Sequence, residues 1–266
     1  RVRILPGVQQ KPLNLNLIGF FYFGRILLPF VRTKVSLRAM KPILFLHGAL
    51  GTSDQLKPLF EQLDLNQTIH LLNFEGHGSE TGMSRSFRIE HFAENVLRYM
   101  DDKKIEQADF FGYSMGGYVA MYIAKNNPQM AGRIATLGTV LKWNTDISER
   151  EVRFLNPNKI REKVPQFAQE LERRHPAGWE EVAAKTKELL LNLGENPKIS
   201  DSEWEEIPHP VRIYVGDRDA TAGVGQSMEV SKMLQNGELM VLPDTPHPIE
   251  QVNLKLLACS LSDFFS

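Results

Sequence analysis

The chain has 266 residues, 42% of them hydrophobic and 24% charged, with 31 Lys and Arg against 32 Asp and Glu. That length supports one large α/β domain or two small ones, and the near-neutral balance supplies no field for gathering polyanions, which argues against nucleic acid as a partner. The single cysteine, Cys259, rules out an internal disulfide and suits a reducing compartment such as the cytoplasm. Its place in an apolar C-terminal helical pattern predicts a buried small hydrophobe.

In chain order, Leu17 to Val31 is apolar but interrupted by Gly24, Arg25 and Pro29, too short for an integral membrane span. No small-residue cleavage site follows to mark a signal peptide. Residues 1–39 read as an opening β-hairpin, as an interfacial anchor carrying Phe20, Phe21, Phe23, Ile26 and Leu27, or as an extension ahead of a fold beginning near Met40. From Lys41 onward, short apolar runs alternate with helical periodicity. Strands are predicted at Pro42–Leu46, Thr68–Phe74, Ala108–Phe111 and Arg133–Thr139, then at Val211–Val215 and Glu238–Leu242. Between the first four lie a helix capped by Ser53 or Asp54, a helix over Ile89–Met100 and a helix over Met115–Lys125. Helices over Val224–Leu234 and Ile249–Phe265 follow the last two strands. Such alternation predicts an α/β fold with a doubly wound, mostly parallel sheet whose ligands bind at the carboxyl ends of its strands.

From Leu141 to about Ser200 the strands stop. Glu149–Phe154, Asn158–His175 and Trp179–Leu193 read as amphipathic helices with solvated charged faces. The domain reading is therefore an extension or hairpin at 1–39, a core at 40–140, a helical cap at 141–207 and the rest of the core at 208–266.

Gly112-Tyr113-Ser114-Met115-Gly116 carries the pattern Gly-x-Ser-x-Gly between a strand and a helix. In a nucleophile elbow the turn is so tight that its Ser takes a strained backbone, and Gly112 and Gly116 stand where a Cβ would push the turn open. Ser114 then lies at a helix amino end, whose free N–H groups favour developing negative charge. A serine nucleophile needs a base, and histidine titrates near the operating pH. Of seven histidines, His247 follows the last strand in a Pro-flanked loop that can carry its ring over Ser114. His47 and His77 each precede a glycine in a tight turn and read as loop braces. His70 falls in a strand, and His91, His175 and His209 lie in helical or cap-flanking segments. The orienting acid follows an earlier strand: Asp219 is the better placed, Asp217 reads as a turn support, and Asp146 is held in reserve. The oxyanion donors are the main-chain N–H of Met115 and that of Ala49, with Leu50 behind it. Leu50, Tyr113 and Trp143 are candidate pocket residues. No Cys or His cluster has metal-ligand spacing and no Gly-rich phosphate loop follows a strand, so neither metal nor cofactor is implied.

Five motifs in order, HGAL at His47–Leu50, EGHGS at Glu75–Ser79, GYSMGG at Gly112–Gly117, GDRD at Gly216–Asp219 and TPHP at Thr245–Pro248, give the chain a resemblance to the α/β-hydrolase superfamily from Lys41 to the C-terminus. It is similar to the small esterases, C–C hydrolases and menaquinone-pathway lyases with a serine nucleophile. The resemblance implies Ser114 as nucleophile, His247 as base, Asp219 as its partner, and Met115 and Ala49 as oxyanion donors. Dehalogenases and epoxide hydrolases of this superfamily carry Asp at the elbow, which Ser114 argues against. The chain departs from the usual pattern with Asn73 and Glu75 at the EGHGS turn and with Ala220–Gly223 after the acid loop. The expected activity is a serine esterase acting on a small or medium apolar acyl ester. The alternatives are C–C hydrolase or lyase chemistry on the same triad, for which Lys142 and Arg150 are the candidate cations, and a ligand receptor or partner-binding module.

Overall fold

The computed structural model describes residues 40–80 and 85–266, so the three readings of residues 1–39 lie outside the described residues. Among the described residues, six strands form one sheet: β1 (Ile43–Leu46), β2 (Ile69–Leu72), β3 (Ala108–Tyr113), β4 (Ala131–Leu137), β5 (Pro210–Gly216) and β6 (Asn236–Leu242). Their order is β2-β1-β3-β4-β5-β6, with every neighbouring pair parallel. The chain leaves β1 for β2 on one side and returns to place β3 on the other. The crevice where strand order reverses therefore opens between the loops that follow β1 and β3.

The helices α1 (Lys57–Phe60), α2 (Ile89–Asp102), α3 (Met115–Asn126), α9 (Val224–Met233) and α10 (Leu254–Phe265) cover both faces of this sheet. In β1, Leu44 and Leu46 join the cluster of Phe92, Phe110, Val119 and Ile123, while Ile43 and Phe45 join that of Leu59, Phe111, Leu257 and Leu261. All four β1 side chains are fully buried. The apolar run in the sequence is thus a period-2 strand with an apolar partner on each side, each large side chain contributing about 1.5–3 kcal/mol.

Between β4 and β5 the chain forms α4 (Thr145–Val152), α5 (Pro157–Lys163), α6 (Pro165–Arg174), α7 (Trp179–Glu195) and α8 (Asp201–Trp204). Several expected elements differ. The predicted helix Asn158–His175 breaks in two because Val164 precedes Pro165: its φ of −140° and ψ of 61° are non-helical, as the proline ring requires. The helix expected after Ser53 is a short 3-10 turn, Ser53–Leu56, followed by α1, and it starts from Thr52, whose N–H donates to Gln55 Oε1 at 3.2 Å. The closing helix is interrupted at Asn253, whose Oδ1 accepts Leu256 N–H at 3.1 Å and caps α10. Cys259 is exposed rather than buried. The inner face of α10 is Leu257, Ala258, Leu261, Phe264 and Phe265, and a residue two positions after Leu257 points to the opposite side.

Candidate active site

Strand β3 runs into α3 through one residue, Ser114, with φ 51° and ψ −117°. A non-glycine residue held there costs about 1–3 kcal/mol and persists only when its surroundings fix it. Ser114 N–H donates to Leu137 O at 2.8 Å, and its carbonyl accepts Thr139 Oγ1 and Gly117 N–H, each at 3.0 Å. A Cβ on Gly112 would run into the Gly117 backbone, and one on Gly116 would meet the Leu46 carbonyl. These two glycines let strand and helix pass close enough to close the turn.

After β6, His247 Nδ1 lies 2.9 Å from Asp219 Oδ2 and 3.1 Å from Oδ1. Asp219 Oδ1 also accepts the N–H groups of Thr221 and Ala222, each at 2.9 Å. Burial pushes the Asp219 carboxyl up, but the hydrogen bond from His247, its charge and the two amides outweigh burial and hold it below its usual range. The ionised acid accepts a hydrogen bond from Nδ1–H, which selects, for the neutral ring, the tautomer whose Nε2 bears the lone pair. Asp217 instead accepts Thr245 N–H at 3.0 Å and braces the turn, and Asp146 is an exposed residue in the first turn of α4. Tyr113 O–H donates to His247 O at 3.1 Å, with the two rings 5.6 Å apart. Sequence reasoning passed over Gly138. At φ 58° it sits where a Cβ would come within 3.0 Å of Asp219 Oδ2 and 3.3 Å of His247 Nδ1, so a side chain there would part the pair. Its only signal was a glycine directly after β4.

The loop after β1 adjoins the elbow, since Leu46 pairs with Gly112 across the two strands. Among the described residues, neither Ala49 N–H nor Met115 N–H is taken up by another group. Leu50 is held at φ 56°. His47, fully buried, donates Nδ1–H to Gly48 O at 2.8 Å and accepts Phe74 N–H on Nε2 at 3.2 Å. His77 packs 5.0 Å from His47 and stacks on Phe87. His175 directly follows α6 and reaches the same loops: Nδ1 accepts Gly78 N–H at 3.0 Å, and Nε2 donates to Leu50 O at 3.0 Å. This tie between insert and core was invisible in the sequence, because its partners are backbone groups 97 and 125 residues away.

Ser114 and His247 both line a cavity of about 840 Å³, together with Ala49, Leu50, Tyr113, Met115 and Trp143. The helical insert adds Phe154, Leu155, Val164, Phe167, Leu190 and Leu193. Lys142 and Arg150 do not line it. Lys142 Nζ pairs with Asp201 at 3.0 Å and Glu229 at 2.6 Å, and Arg150 pairs with Glu151 at 2.8 Å. The cation that does line it is Arg174, which the sequence left unmarked among the charged residues of a helical face. No group of three or more metal-ligating side chains occurs among the described residues.

The family model described as the alpha/beta hydrolase fold matches residues 41–173, half of the chain. The chain belongs to the α/β hydrolase family. Among the curated relatives of this α/β hydrolase, 3-oxoadipate enol-lactonase 2 of Acinetobacter baylyi is 24% identical over 77% of this chain and 82% of its own length. A protein named "Probable alcohol acetyltransferase" from Wickerhamomyces anomalus is 24% identical over 59% of this chain, which spans about half, 48%, of that relative. Among solved structures, the enol-lactonase of Burkholderia xenovorans superposes with a TM-score of 0.68 at 19% identity, covering 84% of this chain and 91% of that one, a likeness of fold. No helix among the described residues is long and apolar enough to cross a membrane.

The two departures from the α/β hydrolase pattern at the turn after β2 have their own partners. Asn73 Oδ1 accepts Ser53 N–H at 2.7 Å, joining that turn to the start of the helix after β1. Glu75 accepts Arg85 Nε at 2.7 Å and Asn95 Nδ2 at 3.0 Å, while its own N–H donates to Asn95 Oδ1 at 2.9 Å. Both side chains brace loops, and neither lines the cavity.

Proposed function

We propose that this α/β hydrolase is a serine esterase that cleaves small or medium apolar carboxylic esters through an acyl-enzyme, in a reducing compartment such as the cytoplasm. The observation that carries the reading is that a strained serine and an imidazole held by a buried carboxylate open on one largely apolar cavity. Ser114 Oγ attacks the ester carbonyl carbon while its proton passes to His247 Nε2. Asp219 keeps the imidazole in the tautomer that accepts this proton and stabilises the imidazolium that forms. The oxyanion takes hydrogen bonds from Met115 N–H and Ala49 N–H, donors already fixed before charge develops. His247 returns the proton to the departing alkoxide, and the acyl group stays on Ser114. Water, deprotonated by the same imidazole, then releases the acid. No cofactor enters these steps.

The insert, residues 141–207, acts as a cap that shapes the acyl pocket, with Phe154, Val164 and Phe167 at its partly exposed rim. The enol-lactonase relative supports the same chemistry by its name, since a lactone is an internal ester. C–C hydrolysis or lyase chemistry on the same triad requires a cation in the cavity to hold an enolate or carboxylate. Lys142 and Arg150 are engaged elsewhere, and Arg174, which lines the cavity, is paired with Glu170 and Glu250, which favours the ester. A fluorophosphonate probe tests the reading: it should label Ser114 alone, and nitrophenyl esters of increasing acyl length should then turn over with a preference for short to medium chains. Labelling at another residue, or turnover that survives Ser114→Ala, rejects it.

A further inference from the structure

The charged side chains lining the cavity are Glu151, Glu170, Arg174 and Glu250, three carboxylates against one guanidinium. The arginine already faces two carboxylates. Its side chain is only 10% exposed, and it bonds Glu170 Oε1 through Nε at 2.8 Å and Glu250 Oε1 through a terminal nitrogen at 3.1 Å. Glu250 lies three positions after His247, and its Oε1 also accepts Gln55 Nε2 at 2.8 Å. Glu170 is further held by Arg173, at 2.9 Å and 2.7 Å. Glu151 is paired with Arg150. The one guanidinium lining the cavity is thus outnumbered by the carboxylates beside it.

We infer that Glu170 and Glu250 determine specificity by charge: they occupy Arg174 and make the cavity reject acyl chains ending in a carboxylate, so that its substrates are esters of uncharged acids. This rests on the esterase reading and adds which esters that site refuses. A carboxylate entering a partly dry cavity must share Arg174 with two carboxylates already bound to it or remain unpaired beside Glu151 and Glu250, and like-charge crowding costs far more there than in water. Building repulsion against one ligand class discriminates as well as attraction toward another. The same arrangement serves turnover. Hydrolysis converts a neutral ester into an anionic acid, which the carboxylates lining the cavity help to expel.

The experiment compares two six-carbon acyl esters with the same leaving group, nitrophenyl hexanoate and mono-nitrophenyl adipate, which differ by a terminal carboxylate. Wild-type kcat/KM should favour the hexanoate by about tenfold or more, the factor expected of one modest charge–charge repulsion. In Glu250→Gln and Glu170→Gln the ratio should fall toward unity, and adding Arg174→Gln should restore it. A ratio within one variant is unaffected by how much of that variant folds. Equal wild-type rates, or a ratio that neither glutamine substitution lowers, overturn the inference while leaving the esterase reading intact. If neither ester is turned over, calorimetric binding of methyl hexanoate and monomethyl adipate to Ser114→Ala decides. Weaker adipate binding that Glu250→Gln relieves supports charge selection and removes the esterase reading, and equal binding removes both.

Discussion

His175 Nε2 donates to the Leu50 carbonyl at 3.0 Å, tying the helical insert to the loop that carries Ala49. Because its Nδ1 accepts Gly78 N–H, one neutral imidazole fixes two core loops at once, and Leu50 is thereby held at its positive φ. His175→Ala leaves two buried backbone groups without partners, each worth about 1–3 kcal/mol. The expected outcome is a lowered melting temperature and a kcat reduced by about tenfold with little change in KM, since Ala49 N–H, the donor proposed to meet the oxyanion but not the ground-state ester, would be displaced. An unchanged kcat in protein that is folded by circular dichroism would show that the clamp has no part in positioning the donor.

Ser114 holds a strained backbone that opposes folding, at the residue proposed as the nucleophile. Ser114→Gly removes the Cβ that makes φ 51° unfavourable. It should abolish turnover and fluorophosphonate labelling yet stabilise the fold by about 1 kcal/mol, after allowing for the greater freedom of an unfolded glycine. Ser114→Ala keeps the Cβ, so it should be equally inactive without that gain. Urea denaturation of the three proteins reads the difference, and a glycine variant less stable than the alanine variant would deny the strain.

Asp219 and Asp217 stand two residues apart after β5 with different partners, and their asparagine variants separate the roles. Asp219→Asn offers an amide where His247 needs an acceptor, which reverses the imidazole tautomer and should lower kcat by about 10⁴. Asp217→Asn keeps an oxygen able to accept Thr245 N–H and should cost less than about 1 kcal/mol of stability, with kcat within a factor of a few. Comparable losses of kcat in both variants would contradict this division.

What the sequence made legible followed from local physics. The alternation of apolar runs with helical periodicity announced a parallel sheet, and Gly112 and Gly116 announced the turn that holds Ser114. Contacts between distant segments left no such trace. Gly138 is one glycine among 19 in the chain until the Asp219–His247 pair is seen packed over it. Arg174 was one cation on a charged helical face, and only the fold turns it toward the cavity and brings Glu250 across to meet it. Cys259 failed for a simpler reason: an apolar neighbourhood in sequence says little about which side of a helix a residue takes.

His47, His77 and His175 form a buried cluster whose protonation opposes folding. Burial holds all three below the ordinary histidine value of 6.5, His47 at about 4, because a charged imidazole has lost its hydration there. The sign follows from linkage. As pH falls through 6.5 the unfolded chain takes up protons that the folded chain does not, so stability decreases from that point down toward the folded pKa of each group. At about pH 5 the loss from His47 alone is about 2 kcal/mol. Asp219 adds nothing in this window, since its depressed carboxyl costs stability only when pH falls below about 3.8. Urea midpoints measured from about pH 7.5 down to about pH 5 should therefore decline, and His47→Gln, less stable overall, should show a shallower slope. A midpoint flat across that range would mean that the three imidazoles are protonated alike in the folded and unfolded chains.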